Sequence, residues 1–391
     1  MARKFVLDPE LEKFATKRQW EIMQALAEHG TGRQAAEALQ LSKSAVNDAR
    51  AAVYRKAADQ GYAPASDWEH VIPDGHKIRG VSTYYGKDGD KRGQWVKTER
   101  DRERQLAMFQ AMAEGFASGL PRALPETERP EHTAAHLMAC YPVSDHHYGM
   151  LSWHEETGGN YDLKIAEELL FGAIDYLMTR APSCPVATIV FLGDFMHYDS
   201  FTPETPTSRN QLDADSRFPD MVKYAIRGMR YSIRKALARH SRVHVIVEIG
   251  NHDLACSIML MQALDNVYEN EPRVTIDTSP RHYHYFTHGK VLVGVHHGHG
   301  AKLPDLPLIM ASDRKEDWGA SDYRYWWTGH VHIDQAKDYR GVKVESFRIL
   351  APVDAWAAQK GYRAMQDMKC ILLHDQYGEV ARHTVNPEML K

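Results

Sequence analysis

The sequence predicts a layered α/β fold preceded by a small helical domain, on three observations. Nearly continuous β-branched runs, such as residues 243–249 (VHVIVEI), have the pattern of strands covered on both faces. From His136 onward these runs alternate with helix-period segments and end in a β-rich tail. Residues 1–62 carry helix-period signals instead.

The chain has 391 residues, more than one ordinary domain, with 43% hydrophobic and 26% charged residues. That balance is near the globular average and excludes wholesale disorder. A formal net charge of −4 supplies no global field for nucleic acid or anionic membrane. Any polyanion site therefore needs a local patch or a bound cation. Cys140, Cys184, Cys256 and Cys370 are scattered without Cys-x-x-Cys spacing, which indicates neither a disulfide framework nor a zinc knuckle. No run of about 18 apolar residues occurs, and the N-terminus lacks a signal-peptide core. A soluble protein of a reducing cytoplasm is expected, with no membrane partner.

In the first segment, Trp20, Ile22, Met23 and Leu26 recur at helix spacing and the pattern closes near Gly30. A short helix through Ala35, Ala36 and Leu39 follows, then a turn at Leu41 and a longer helix N-capped by Ser42. This pattern over 1–62 resembles the helix-turn-helix units of response regulators and sigma factors. It places Lys43, Ser44, Asn47 and Arg50 on the face that would enter a major groove. The plainer alternative is a three-helix bundle used for oligomerisation or docking, and Asp48 and Asp59 dilute the basic face.

Residues 63–122 predict a basic β-hairpin around Asp88-Gly89 and then a helix from Glu99 to Leu120. In the hairpin, Lys77, Arg79, Lys87, Lys91, Arg92 and Lys97 alternate with Tyr84, Tyr85 and Trp95, a composition suited to nucleic acid or simply to a solvated hairpin. A proline-rich linker is expected at 123–136. Within 137–391, strands are predicted at 137–143, 187–192, 243–249, 282–287 and 291–296, and helices at 162–179, 220–239 and 257–265.

Five strand ends carry chemistry. They offer Asp145 and His147; Asp194; Asn251 and His252; His297; and His330 and His332. All are oxygen or imidazole donors. A lone strand-end Asp is most often a helix cap, and a lone His a satisfied polar residue. Five such ends in order, four of them beside glycines, point to a joint metal site.

The order Asp-x-His, Gly-Asp, Gly-Asn-His-Asp, His-Gly and Gly-His-x-His resembles the calcineurin-like metallophosphoesterase superfamily across residues 137–391. The resemblance implies a two-layered β-sandwich flanked by helices, holding two divalent ions bridged by one carboxylate. By position, Asp145, His147, Asp194 and His332 would hold one ion, and Asp194, Asn251, His297 and His330 the other. It also implies that His252, positioned by Asp145 or another carboxylate, protonates the leaving oxygen; donating a hydrogen bond to substrate phosphate is its plainer role. Imidazoles with carboxylates suit manganese first, with iron, zinc or nickel as alternatives. His297 is taken as the ligand because it directly precedes Gly298, with His296 and His299 as competitors. Together with His146 and His197 these flank ligand positions, and adjacency along a strand directs neighbours to opposite faces.

Residues 199–220 form a long polar connection in which Arg217, Asn210 or Ser208 is placed to touch substrate phosphate. The reaction implied is phosphoester hydrolysis. The helix-turn-helix pattern and the basic hairpin favour a nuclease or phosphodiesterase acting on nucleic acid, encoded by a phage or mobile element and working in the host cytoplasm. The alternative is a small-molecule phosphodiesterase or phosphomonoesterase whose N-terminal helices serve assembly.

Overall fold

The computed structural model describes residues 7–59, 62–63, 68–69, 76–85, 91–100, 122–123, 125–126 and 130–391. The chain divides into two compact units, Met1–Met112 and Ala113–Lys391.

In the first unit, α1 (Lys17–His29), α2 (Gly32–Ala38) and α3 (Lys43–Asp59) follow one another with short turns. Thr16 and Gln19 form a capping box on α1, and Gly30, at φ 77°, ends it in the left-handed conformation that glycine adopts without strain. The Ser42 hydroxyl accepts from the Ala45 N–H at 3.1 Å, the cap expected for α3. Ile22, Leu26, Ala35, Ala36 and Val46 close the three helices around one small core.

After two short strands, β1 (Tyr62–Ala63) and β2 (Trp68–Glu69), comes an antiparallel pair, β3 (His76–Tyr85) and β4 (Lys91–Arg100). Glu99 and Arg100, expected to open a helix, belong to β4 instead; the rest of that helix, the Asp88-Gly89 turn and the hairpin's side chains lie outside the described residues. So does part of the expected linker.

The second unit is a mixed α/β fold of two sheets flanked by helices. The first sheet has the order β15-β14-β5-β6-β7-β8, and the second β12-β13-β11-β10-β9. In the first, β5 (Leu137–Val143), β6 (Val186–Phe191), β7 (Arg242–Val247) and β8 (Val274–Ile276) run parallel. Antiparallel β14 (Met368–His374) and β15 (Gly378–Val385) complete it. In the second sheet, β10 (Val291–Val295), β11 (Tyr323–Thr328) and β13 (Val342–Ser346) are parallel. Its edges are β9 (His284–His288) and β12 (Gln335–Tyr339), both antiparallel to their neighbours.

The sheets share one apolar layer. Val190, Leu192 and Ile246 from one meet Val291, Val293, Val295 and Trp327 from the other, with Phe286 and Phe347 against the Trp327 ring. Helices α4 (Leu163–Arg180), α5 (Phe218–Arg239) and α6 (Leu254–Tyr268) cover the outer face of the six-stranded sheet. In α4, Leu163, Ala166, Leu170, Ala173, Ile174 and Leu177 are buried at the three- and four-residue spacing of one helical face. Helix α7 (Leu306–Asp313) covers the other sheet through Leu306 and Met310 against Trp326.

Parallel strands end at the same edge. The turns after β5, β6 and β7 issue from one edge of the first sheet and those after β10 and β11 from one edge of the second, and donors from both edges lie together. Helix α6 runs further than the predicted 257–265 because a distant carboxylate caps it. Asp199 accepts from the Ala255 and Cys256 N–H groups at 2.8 Å each.

Trp327 is almost fully buried between the sheets. Trp327→Ala should cost about 3–5 kcal/mol of the second unit's stability, read by chemical denaturation.

Candidate metal centre

The strand-end turns bend sharply enough to converge. Asp145 (φ 37°), His147 (50°), Asp194 (48°), His330 (68°) and His332 (56°) all adopt the left-handed conformation, which costs a side-chain-bearing residue about 1–3 kcal/mol. Among the described residues only Gln40, Arg209 and Arg340 otherwise do so without being glycine. The strain is thus concentrated on predicted ligands.

Three glycines let the turns touch. A Cβ at Gly193 would lie 2.6 Å from His297 Nδ1 and 2.9 Å from the Gly250 Cα. One at Gly250 would collide with the Asp194 amide and carboxylate, and one at Gly329 with the Asp145 carboxylate.

The structure brings all eight predicted centre residues together. Asp145, His147 and His332 form one group whose ligand-capable atoms lie within 4.8 Å of one another, and Asp194, His297 and His330 form a second. His332 Nε2 is 3.2 Å from Asp145 Oδ1 and 3.5 Å from His147 Nε2. His297 Nε2 lies 3.1 Å from Asp194 Oδ2 and 3.0 Å from Asn251 Oδ1, while its Nδ1 faces the Leu192 carbonyl at 2.7 Å. Asp145 Oδ1 is 4.0 Å from His297 Nε2, so the two groups adjoin.

Of the competitors of His297, His296 is engaged elsewhere: it stacks on Tyr283 with centroids 4.8 Å apart and accepts from the Gly298 N–H. The His299 ring instead lies beside the centre, 5.2 Å from the His297 ring and 6.2 Å from that of His330. His146 packs against Tyr148 and Phe195 with both ring nitrogens unpartnered, and burial pushes its imidazole down to about 3.

Two sequence expectations need correction. His197 does not point away: its Nδ1 is 3.3 Å from His147 Nδ1, and it joins His147 and His252 in a third group within 4.8 Å. The reason is that His197 lies beyond the end of β6, where strand alternation no longer governs direction. Nor is His252 positioned by a carboxylate. Its ring Nδ1 faces the His197 carbonyl at 2.8 Å, Nε2 makes no hydrogen bond among the described residues, and the backbone N–H reaches Asp194 Oδ1, also at 2.8 Å. Arg217 is exposed at the start of α5, and among the described residues its guanidinium makes no hydrogen bond or ion pair to the centre. Lys43, Ser44, Asn47 and Arg50 are all exposed on α3.

Asp253 stands with Asn251 and His252 at the same strand end, and its role is structural. Its buried carboxylate accepts from three backbone amides: Asp194 at 3.1 Å and Gly250 at 3.2 Å on Oδ1, and Met196 at 3.0 Å on Oδ2. It ties the turn after β6 to the turn after β7. The only sequence signal was its place in the Gly-Asn-His-Asp run.

The donors fit divalent cations. Asp145 and Asp194 are 0% and 2% exposed, so two carboxylates are held out of water together. Burial alone would push His297 down, but the charges of Asp194 and Asp145 override it and carry the imidazole up to about 10. The cluster draws positive charge, and its imidazole, carboxylate and amide donors suit borderline transition ions.

No family model matches the chain, and no curated protein matches it. Solved structures similar to it include an archaeal phosphodiesterase, at 13% identity and TM-score 0.33, covering 63% of this chain and 100% of that one. A phosphoesterase from E. coli matches at 15% identity and TM-score 0.29, covering 64% and 100%. Vps29 complexed with zinc, from Entamoeba histolytica, matches at 12% identity and TM-score 0.27, covering 63% and 98%.

Asp253→Asn would turn an amide NH₂ toward one of the three backbone donors. Manganese affinity should fall about 10- to 100-fold, as for other groups that orient metal ligands, and calorimetric titration checks it.

Proposed function

We propose that the second unit is a calcineurin-like metallophosphoesterase domain that hydrolyses phosphodiester bonds of nucleic acid at a dinuclear centre. The observation that supports this most is the convergence of Asp145, His147, Asp194, Asn251, His297, His330 and His332 from five strand ends, five of them in left-handed conformation. Asp145, His147 and His332 would hold one cation, Asn251, His297 and His330 the other, and Asp194 would serve both. Manganese is the ion the donor set favours, with iron, zinc or nickel as alternatives. When bound, two such ions supply an acidified water and neutralise the phosphate oxygens.

The chain's own groups do the rest. His252 is oriented by the His197 carbonyl through Nδ1, so its Nε2 is the atom available to protonate the leaving oxygen. His197 stacks on it at 5.5 Å and adjoins His147, which makes it a positioning residue for both. Nucleic acid is favoured as substrate by the exposed Lys43, Ser44, Asn47 and Arg50 on the third helix of a helix-turn-helix-like unit.

A manganese-supplemented assay comparing bis-p-nitrophenyl phosphate, p-nitrophenyl phosphate and labelled single- and double-stranded DNA tests the reading. Cleavage of the diester and of DNA is expected. Turnover of the monoester alone would sink it in favour of a small-molecule phosphatase whose helices serve assembly.

Asp194→Asn should abolish binding of both ions in metal analysis, because it removes the shared charge. His252→Asn should retain metal yet slow poor leaving groups by about 10²–10⁴-fold, and p-nitrophenolate far less. Lys43→Ala with Arg50→Ala should weaken duplex binding, with a salt dependence shallower by roughly 0.9 for each phosphate that is no longer neutralised.

A further inference from the structure

Residues 329–334, the turn leaving β11, carry two of the metal donors and are held unevenly. The first half is pinned at the centre itself. The Gly329 N–H donates to the His297 carbonyl at 2.8 Å, and the His330 N–H donates to Asp145 Oδ1 at 3.0 Å. Further on, Val331 and Ile333 are exposed, and the His332 side chain is 37% exposed. Yet His332 Nε2 stands 3.2 Å from Asp145 Oδ1, on a backbone in the left-handed conformation. A half-exposed, strained donor keeps that place only if the chain beyond it is held.

Two contacts hold it, one from each sheet. From β13, Ser346 Oγ donates to the Ile333 carbonyl at 3.0 Å. From β14, Lys369 Nζ donates to Asp334 Oδ2 at 2.7 Å. The Lys369 side chain is only 5% exposed, and a buried ammonium is costly unless it is paired. Its other acidic neighbour, Glu345, lies 3.7 Å away and is already engaged: Arg382 donates to its two carboxylate oxygens at 2.6 and 3.0 Å, and Lys343 stands at 3.1 Å. Arg348 comes no nearer to Asp334 than 3.7 Å because it donates to Asp367 at 2.7 Å. Lys369 and Asp334 are therefore each other's closest charged partner.

We propose that Lys369 is a positioning residue of the metal centre: through Asp334 it fixes the end of this turn, so that the His332 imidazole stays beside Asp145, a role that rests on the metallophosphoesterase reading. His330 depends on it less, because its own N–H is bonded to Asp145. The ion of Asp145, His147 and His332 should therefore feel the loss of Lys369, and the ion of Asn251, His297 and His330 much less. The fold can spare the ammonium. Lys369→Met strands no buried charge, since Glu345 keeps Arg382 and Lys343, and the Asp334 carboxylate, 28% exposed, can be hydrated.

The test titrates manganese by calorimetry into the wild type, Lys369→Met, Lys369→Arg, Asp334→Asn and the double variant Lys369→Met with Asp334→Asn, and follows chemical denaturation of each metal-free chain. The wild type should bind two ions. Lys369→Met and Asp334→Asn should each weaken one ion about 10- to 100-fold and leave the other nearly unchanged. The double variant should be no worse than either single one, because both remove the same bond. Lys369→Arg, which keeps the charge, should recover most of the affinity, and the unfolding midpoints should stay close to that of the wild type. Two ions bound as tightly by Lys369→Met as by the wild type would overturn the positioning role and leave the metal centre standing. So would a parallel loss of both ions and of the unfolding midpoint, the mark of a lysine that serves the fold alone. A wild type that binds no divalent ion would overturn the metallophosphoesterase reading and this role with it.

Discussion

The centre depends on one close approach, between the turn after β6 and the turn after β7. Gly193 and Gly250 touch backbone to backbone, with no room for a Cβ on either side. The Asp253 carboxylate crosses the gap and accepts from amides on both turns. Without that approach Asp194 would not stand beside Asn251 and His297. The left-handed conformations at Asp145, His147, Asp194, His330 and His332 are unfavourable one by one. They persist because each sits two to four residues beyond a strand held in register by its neighbours. The rigid sandwich thus supports strain that isolated turns would release.

The same approach creates an electrostatic demand. Asp145 and Asp194 are almost wholly withdrawn from water, and a buried carboxylate is costly unless paired. Imidazoles supply part of the compensation, which is why His297 is driven up against the pull of burial. Cations at the same place would supply more, and a ligand that binds only the folded state stabilises it by mass action. In such a centre, metal affinity and the stability of the turns are two readings of one interaction.

The sequence revealed several strand positions and the donors more fully than it revealed their wiring. Residues 137–143 form the predicted strand, and the other four predicted strands deviate by only a few residues, because short apolar runs bounded by polar turns carry a strong local signal. The eight centre residues were legible because each stands just beyond such a run. The contacts made by His197, Asp199 and Asp253 were not legible. Asp199 caps a helix 56 residues further along the chain, and Asp253 binds amides up to 59 residues away. Interactions of that range leave no periodic trace. The correction at His252 has the same origin: its partner is a backbone carbonyl, which every residue possesses and no motif can advertise.

Rigidity and freedom to vary fall on different parts of this architecture. The two sheets and their shared apolar layer fix where five turns emerge, and the donors near the strand ends inherit that rigidity. Beyond the donors the chain is free of those constraints. Trp153, Trp356 and Tyr362 are exposed side chains on short turns, and changing them leaves the packing of the sandwich core intact. Such exposed residues can therefore vary at little cost to the fold. The donor positions cannot, because each is tied to a backbone conformation, a neighbouring glycine or a buried charge that has to change with it.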